Sequence, residues 1–243
     1  MTTEPGPQHK PFDAPQLASG TEQQHTPPGA TQAALRVQIL STEHWSLLAT
    51  RSQTWNESFA RAQMFLSVLS ASVIALALVA QATAFGSGFT AFALVLLPVV
   101  LFLGLTTYIR LVAVNHDETR WVLGMNRIRA AYLELAPELE RWFITSHHDD
   151  ERGVMVTAGW GTFPTLFGYV TTPAVVGVID AVVAGVIVVL GTHALGLQAP
   201  FAAALGVLTA VALNLALTAY SRWAYRRWRP NYPPVSPTPE TVR

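Results

Sequence analysis

The sequence predicts an all-α, polytopic membrane protein with four transmembrane helices, arranged as two hairpins, and a helical cytoplasmic layer. Three observations support this fold class: the composition, four long apolar segments and the segregation of charge. Hydrophobic residues make up 51% of the 243 residues, and charged residues only 12%. Soluble domains carry about 25% charged residues. A soluble fold would therefore leave four apolar helices with almost no charged surface to solvate them.

Four apolar segments are long enough to cross a bilayer, which requires about 20 residues. They cover about 62–84, 89–109, 170–192 and 199–220. FGSG connects the first two, and HALGLQAP connects the last two. Because these connections are short, the sequence predicts one transmembrane hairpin over 62–112 and a second over 166–221.

The basic residues predict the orientation of the hairpins. All 15 Lys and Arg residues lie before the first span, between the second and third spans, or after the fourth span. Both hairpin loops lack basic residues, and basic residues mark cytoplasmic segments. We therefore expect a protein of the cytoplasmic (inner) membrane, in contact with the lipid bilayer, with both termini in the cytoplasm.

The segments outside the spans are expected to be cytoplasmic. Residues 1–33 are rich in Pro, Gln, Thr and Gly, which predicts a disordered tail. Segment 34–61 is predicted to contain an amphipathic helix that begins at Ser41 or Thr42 as N-cap. Its apolar face consists of Trp45, Leu48, Ser52, Trp55 and Phe59. That face could lie on the membrane surface or pack on other cytoplasmic helices, and the absence of Lys favours packing.

The middle segment, 113–165, carries a heptad seam. Its members are Trp121, Met125, Ile128, Tyr132, Leu135, Leu139 and Trp142. Pro137 predicts that one helix ends near Ala136 and another begins with the proline at its first position. The seam needs a partner, either the 45–59 face of the same chain or a second subunit. We therefore expect a homo-oligomer or a cytoplasmic protein partner.

The C-terminal segment, 222–243, begins with a basic-aromatic run and continues as a Pro-rich tail. The run contains Arg222, Trp223, Arg226, Arg227 and Trp228 directly after the fourth span. Arginines and tryptophans at this position are typical of membrane-interface anchors that contact anionic headgroups. We interpret them as such anchors and expect no nucleic acid partner.

The segment SHHDDERG groups potential metal ligands: His147, His148 and Asp149 are weak candidates. Adjacent residues point in different directions on a helix, and no metalloprotease spacing is present. We interpret the segment as a polar loop and expect neither a metal nor a cofactor. The sequence also lacks cysteines, a Gly-rich phosphate loop and a nucleophile elbow. These features predict a non-enzymatic protein.

Asp180 is the only acidic residue within a span. An intramembrane carboxyl is costly and is a functional candidate by default. Polar side chains on other spans are candidate partners at a similar depth: Ser67, Ser70, Thr209 and Asn214. We expect a protonated Asp180 that is hydrogen-bonded in the bundle interior or lines a wet cavity. Its role is either a structural anchor or a group that transports protons or ions.

Small residues repeat at four-residue spacing on the third and fourth spans, which allows close helix approach. They are Gly177, Ala181 and Gly185 on the third span, and Gly206, Ala210 and Asn214 on the fourth. A polar stripe on the first span consists of Gln63, Ser67, Ser70 and Gln81. We expect the three stripes to meet in the bundle interior.

The stretches HWSLLATRSQTWNESFARAQMFLSVLSASVIALALVAQAT (44–83) and VNHDETRWVLGMNRIRAAYLELAPELERWF (114–143) resemble a group of small, uncharacterised bacterial four-span membrane proteins. The resemblance covers roughly residues 35–220 and implies no reaction. The architecture alone is loosely similar to membrane effectors of bacterial nucleotide-triggered defence systems. We therefore expect a non-enzymatic protein whose cytoplasmic helices mediate self-assembly or partner contact. The alternative is a small transporter, channel or pore-forming effector that uses Asp180.

Overall fold

The computed structural model describes residues 28–159 and 171–239, and this part of the chain is helical without a β-strand. The α-helices are α1 (Pro28–Thr83), α2 (Ser87–Leu135), α3 (Glu151–Thr157), α4 (Thr172–Ala194) and α5 (Ala199–Trp228). Two short 3-10 helices cover Pro137–Trp142 and Arg229–Asn231. The predicted all-α class is confirmed for the described residues.

Four helices, α1, α2, α4 and α5, are long and apolar enough to cross a membrane. Helices α1 and α2 contain 56 and 49 residues. At 1.5 Å per residue they are about 84 and 74 Å long, far more than the ~30 Å hydrocarbon core. Each therefore continues well beyond its apolar segment.

The loop between α1 and α2 and the loop between α4 and α5 lie at the same end of the molecule. Gly191, near the end of α4, packs against Leu94, near the start of α2. We call this end the loop end. The opposite end carries the arginines, α3 and the extensions of α1 and α2, and we call it the basic end.

The long helices pack in the order α1, α2, α4, α5, each mainly against the next. The core of the apolar segments is formed by Phe65, Val100, Tyr108, Leu111, Val112 and Val176. A second cluster at the basic end contains Val122, Leu123, Met125 and Val154, with Leu47, Trp228 and Tyr232 packed on it. Burial of the second cluster, which lies outside the apolar segments, contributes about 1.5–3 kcal/mol for each large residue.

The predicted start of the first helix at Ser41 or Thr42 is wrong. Helix α1 already begins at Pro28, so residues 28–33, predicted to be disordered, are helical. Thr42 Oγ1 donates to the Gln38 carbonyl at 2.9 Å, an in-helix bond that replaces a capping bond. Residues 1–27 of the predicted disordered tail lie outside the described residues.

Helix α2 runs unbroken from the second apolar segment through most of the middle segment and ends at Leu135. The predicted break at Pro137 is confirmed, and the following helix is a short 3-10 helix. The heptad seam is buried only in its first half. Met125 and Ile128 are buried, whereas Leu139 and Trp142 are exposed.

The face of α1 that packs on α2 differs from the predicted face. Trp45, Leu48, Trp55 and Phe59 are all exposed. The face that packs on α2 is also spaced at steps of three and four, and it contains His44, Leu47, Arg51 and Thr54. His44 lies beside Tyr132, and Leu47 contacts Gly124. Arg51 pairs with Glu118, and Thr54 accepts a hydrogen bond from Trp121. The 45–59 stripe therefore has no partner in the described part of the chain.

Candidate functional site

Asp180 lies near the middle of α4 and is fully buried. Neither of its carboxyl oxygens has a hydrogen-bond partner among the described residues. This differs from the predicted bonds to neighbouring spans. A buried polar group without a hydrogen-bond partner carries a free-energy cost, which makes this carboxyl a functional candidate.

Gly104 of α2 lies directly against this carboxyl. A Cβ built on Gly104 would overlap Asp180 Oδ1. Only glycine lets the α2 backbone approach so closely. The contact between α2 and α4 therefore includes one glycine packed directly on one acid.

Helices α4 and α5 cross closely, as the small-residue spacing allows. Gly206 packs on Gly185, since a Cβ at Gly185 would lie 2.8 Å from the Gly206 carbonyl oxygen. The predicted partners of Asp180 on α5 have other contacts. Thr209 Oγ1 donates to the Leu205 carbonyl, and Asn214 lines the cavity described below.

The serines on the first apolar segment do not reach the interior. Ser67 and Ser70 are exposed, and Ser67 Oγ donates to the Gln63 carbonyl of its own helix. The interior face of α1 is formed instead by Phe65, Ser72 and Ala80, which are buried. The prediction that a polar serine stripe faces the bundle interior is therefore wrong.

A cavity of about 570 Å³ opens where the apolar segments meet the basic end. Residues from α2, α3, α4 and α5 line it. Its apolar part includes Tyr108, Val178 and Leu217, and its polar part includes His116, Glu151 and two arginines. The volume falls within the ~300–1,000 Å³ of small-molecule sites.

The arginines after the fourth apolar segment divide between two faces of α5. Arg222 and Arg226, one turn apart, line the cavity. Arg227 lies over the Trp223 ring at 4.8 Å from its centroid, and Trp223 is exposed. The position of Trp223 and Arg227 is compatible with an anchor at the membrane interface, which stays a prediction.

Trp228, predicted as an interface anchor, packs instead within the basic end. Its ring stacks on His116, with centroids 5.5 Å apart and planes at 17°, and it contacts Tyr232. Burial lowers the pKa of His116 from its ordinary value, although Asp117 opposes the shift. Trp228 therefore holds the end of α5 against α2.

Ion pairs connect α1 to α2 just beyond the apolar segments. Arg51 Nε donates to Glu118 Oε1 at 2.7 Å, and Glu118 is buried. Glu57 accepts from Arg110 at 2.8 and 3.0 Å and from Arg61 at 2.9 Å. Hydrogen bonds from Arg110 and then Arg61 lower the pKa of Glu57. These pairs fix the register of the long hairpin.

The Pro-rich tail is attached to the middle segment through Asp149. This side chain is fully buried and accepts from Arg127 Nε at 2.6 Å, from the Val235 amide at 2.9 Å and from the Ser236 amide at 2.7 Å. The Asp149 amide donates back to the Ser236 carbonyl. Residues 233–238 are therefore bound to the protein surface.

Asp150 extends the same attachment. It caps α3 by accepting from the Gly153 amide, and it accepts from the Thr238 amide and hydroxyl. Burial alone would raise the pKa of Asp149, but the bonds from Val235, Arg127 and Ser236 outweigh it and lower the pKa. Burial would also raise the pKa of Asp150, but the hydrogen bonds from Gly153 and Thr238 outweigh it and lower the pKa.

The weak metal candidates do not form a ligand set. Both Asp149 oxygens are occupied by hydrogen-bond donors, and among the described residues no group of three potential ligands could hold a metal ion. His147 and His148 lie side by side, with centroids 4.1 Å apart. Burial lowers the pKa of His147, and the neighbouring His148 adds a smaller shift in the same direction.

Comparison of the chain with protein-family models, with curated proteins and with solved structures gives no match.

Sequence reasoning missed Gly104 and the attachment of the tail. Gly104 is a lone glycine in an apolar segment, and only the position of Asp180 on another helix gives it significance. The tail attachment involves backbone amides of residues 235, 236 and 238, which leave no trace in composition. Asp150 gave a signal for its capping bond alone, since Asp is a preferred N-cap residue.

Proposed function

We propose that this protein is a non-enzymatic protein of the cytoplasmic membrane, with the basic end in the cytoplasm, that self-assembles through α1. The exposed stripe on the basic-end half of α1 carries this proposal. Trp45 is 68% exposed, Trp55 47% and Phe59 51%. Such a patch of large apolar residues marks an interaction surface.

The start of α1 strengthens the case. Residues 31–39 are all exposed, since α2 ends where His44 meets Tyr132. A short helical extension without tertiary contacts is marginally stable in water. Leu35 and Ile39 are among its exposed residues. A partner helix would supply the missing contacts.

The membrane favours a second copy as that partner. Two copies inserted in the same orientation present their α1 helices in parallel, so that identical stripes face each other across a two-fold axis. The stripe itself carries no charge, because Trp45, Leu48, Ser52, Trp55 and Phe59 form it. Self-association therefore requires no like-charge contact along this line.

Cysteine cross-linking in membranes tests the assembly, since the chain has no cysteine of its own. Ser52→Cys places a thiol on the stripe, and Ser46→Cys places one on an exposed turn facing away from it. We expect disulfide-linked dimers with Ser52→Cys and few with Ser46→Cys. Equal cross-linking of both variants, or none at Ser52→Cys, would refute the proposal.

Side-chain truncation provides a second test. Trp45→Ala with Trp55→Ala should shift the detergent-solubilised protein to a smaller assembly, measured by light scattering after size exclusion. Trp142→Ala is the matched control, because Trp142 is 66% exposed but lies outside α1. An unchanged mass in the double variant would contradict assembly through the stripe.

A second candidate function is proton-linked transport through Asp180, and one observation favours it. The buried carboxyl finds no hydrogen-bond partner in the part of the chain that the structure describes. It lies one turn from Gly177, which lines the cavity open at the basic end. Tyr108 packs on Gly177 and donates to the Leu217 carbonyl at 2.7 Å. Tyr108 thus lines the cavity one helical turn along α2 from Gly104, which contacts Asp180.

Proton flux into liposomes separates the two candidates. In the transport case, Asp180→Asn leaves folding and assembly intact but abolishes the flux of the unmodified protein. Asp117→Asn, at an exposed acid outside the spans, is the control and retains the flux. Absence of flux in the unmodified protein, together with destabilisation by Asp180→Leu, would leave Asp180 as a structural contact to Gly104.

A further inference from the structure

We propose that the cavity at the basic end binds a phosphate-bearing anionic amphiphile, such as a phosphatidylglycerol from the adjacent leaflet. The proposal is independent of self-assembly and of transport. It rests on the position of the cavity, on the distribution of its lining and on its charge. None of these depends on the α1 stripe or on Asp180.

The cavity straddles the boundary between the apolar segments and the basic end. Val178 and Leu217 lie within apolar segments, whereas Arg222 and Arg226 follow the last apolar residues of α5. An amphiphile has the same division, with acyl chains on one side and a phosphate on the other. Basic pockets between transmembrane helices are typical sites for anionic headgroups.

The charge of the lining matches one negative phosphate diester. Arg222 and Arg226 are one turn apart on α5, and both are exposed and line the cavity. Within the described ranges neither arginine forms an ion pair. Glu151 also lines the cavity. With His116 neutral, the lining carries a formal net charge of one positive unit.

The polar groups around these arginines can bind the rest of a headgroup. Asn115, Thr218 and Ser221 line the same cavity and offer amide and hydroxyl groups. Arginine forms paired hydrogen bonds with phosphate oxygens, which adds geometric specificity to charge. A glycerol headgroup with free hydroxyls would therefore find both donors and acceptors.

The test uses the full chain in nanodiscs of phosphatidylcholine with a minor fraction of phosphatidylglycerol of matched chains. Native mass spectrometry measures which lipid is retained. We expect the unmodified protein to retain phosphatidylglycerol selectively. Loss of each arginine should lower this selectivity about ten-fold or more, the effect of a charge-assisted hydrogen bond to a phosphate oxygen. Arg222→Gln with Arg226→Gln should therefore lower it roughly 100-fold.

Two matched variants separate a built site from general attraction. Arg227→Gln removes the same charge from the same turn of α5 but outside the cavity, beside Trp223. It should lower selectivity less than Arg226→Gln does, because Arg227, predicted as an interface anchor, contributes only general attraction to anionic headgroups. Ala174→Phe fills the cavity without changing charge, and it should abolish selectivity although both arginines remain. Equal losses with Arg226→Gln and Arg227→Gln, or full retention in Ala174→Phe, would overturn the proposal.

An experiment with a soluble phosphate ester shows whether the bound phosphate belongs to a lipid or to a soluble ligand. Glycerol 3-phosphate is added to the protein in pure phosphatidylcholine nanodiscs, and thermal stability is measured. We expect no stabilisation that depends on Arg222 and Arg226, since the acyl chains contribute much of the binding. Arginine-dependent stabilisation by glycerol 3-phosphate, without selection of phosphatidylglycerol, would overturn the amphiphile and assign a soluble ligand.

Discussion

Asp149→Asn should release the C-terminal tail from the protein surface. The unmodified side chain accepts from Arg127 and from the amides of Val235 and Ser236, all within 2.9 Å. The substitution keeps the shape, removes the charge and brings an NH₂ group among donors. The tail amides then lose their charged acceptor.

The size of the effect follows from these bonds. Hydrogen bonds to a charged group contribute about 1.5–3 kcal/mol each, and breaking a buried ion pair costs about 3–5 kcal/mol. Arg127 is 35% exposed and recovers hydration, which reduces the loss. We therefore expect local opening to become easier by about 2–4 kcal/mol. Since each 1.4 kcal/mol is a factor of ten, exchange should accelerate roughly 30- to several-hundred-fold.

Hydrogen–deuterium exchange with mass spectrometry of the peptide covering 233–238 measures this opening. Asp117→Asn is the control, because Asp117 pairs with Arg120 at 3.5 Å on the surface and does not contact the tail. In Asp117→Asn, the peptide covering 233–238 should exchange at the same rate as in the unmodified protein. Unchanged exchange at 233–238 in Asp149→Asn would refute the assignment of Asp149 as the attachment point.

The remaining predictions concern stability. Gly206→Leu should lower the thermal unfolding midpoint in detergent, because the leucine side chain would collide with the Gly185 backbone. Such overpacking costs about 1–3 kcal/mol of stability. An unchanged midpoint would contradict the close crossing of α4 and α5. Burial lowers the pKa of His44, His116 and His147 below the ordinary value of 6.5. The unfolded state therefore binds more protons, so that stability falls as the pH decreases from 6.5 towards the folded-state pKa values. Thermal unfolding followed by circular dichroism across that range tests this, and a flat or inverted dependence contradicts it.

The class of fold was predictable because apolar length is a one-dimensional property. Four runs of sufficient length led to four helices long and apolar enough to cross a membrane. The break at Pro137 was equally local, since proline lacks an amide donor. The small-residue spacing on α4 and α5 also predicted that these two faces lie inside the bundle, because small residues at steps of four define a helix face.

The facing surfaces of α1 were not predictable from hydrophobicity. Large aromatics such as Trp45 and Trp55 indicated the wrong face, whereas the packed face contains the polar side chains of Arg51 and Thr54. A prediction based on hydropathy leaves such polar side chains out of the packed face, although polar groups that form hydrogen bonds or ion pairs can be buried. The helix start was missed because Thr42 bonds to a carbonyl within its helix, so a typical cap residue gave a false boundary.

The surroundings of Asp180 required the third dimension. Its position in α4 was evident from the sequence, but which helix it faces depends on how α2 and α4 rotate about their axes. The glycine at position 104 determines that rotation by admitting the carboxyl. The serines at 67 and 70 and the polar residues at 209 and 214 were reasonable partners by depth, and rotation placed their side chains elsewhere.

The continuity of α2 has a mechanical consequence. Gly104 and Arg127 belong to one uninterrupted helix, about 35 Å apart along its axis, and Pro98 lies on the far side of Gly104. No hinge separates the tail attachment at one point from the Asp180 contact at the other. The helix therefore acts as a lever: a tilt of a few degrees at Arg127 displaces the backbone beside Asp180 by about 2–3 Å. The tail attachment at the basic end and the Asp180 contact in the apolar segments are thus joined by one continuous helix.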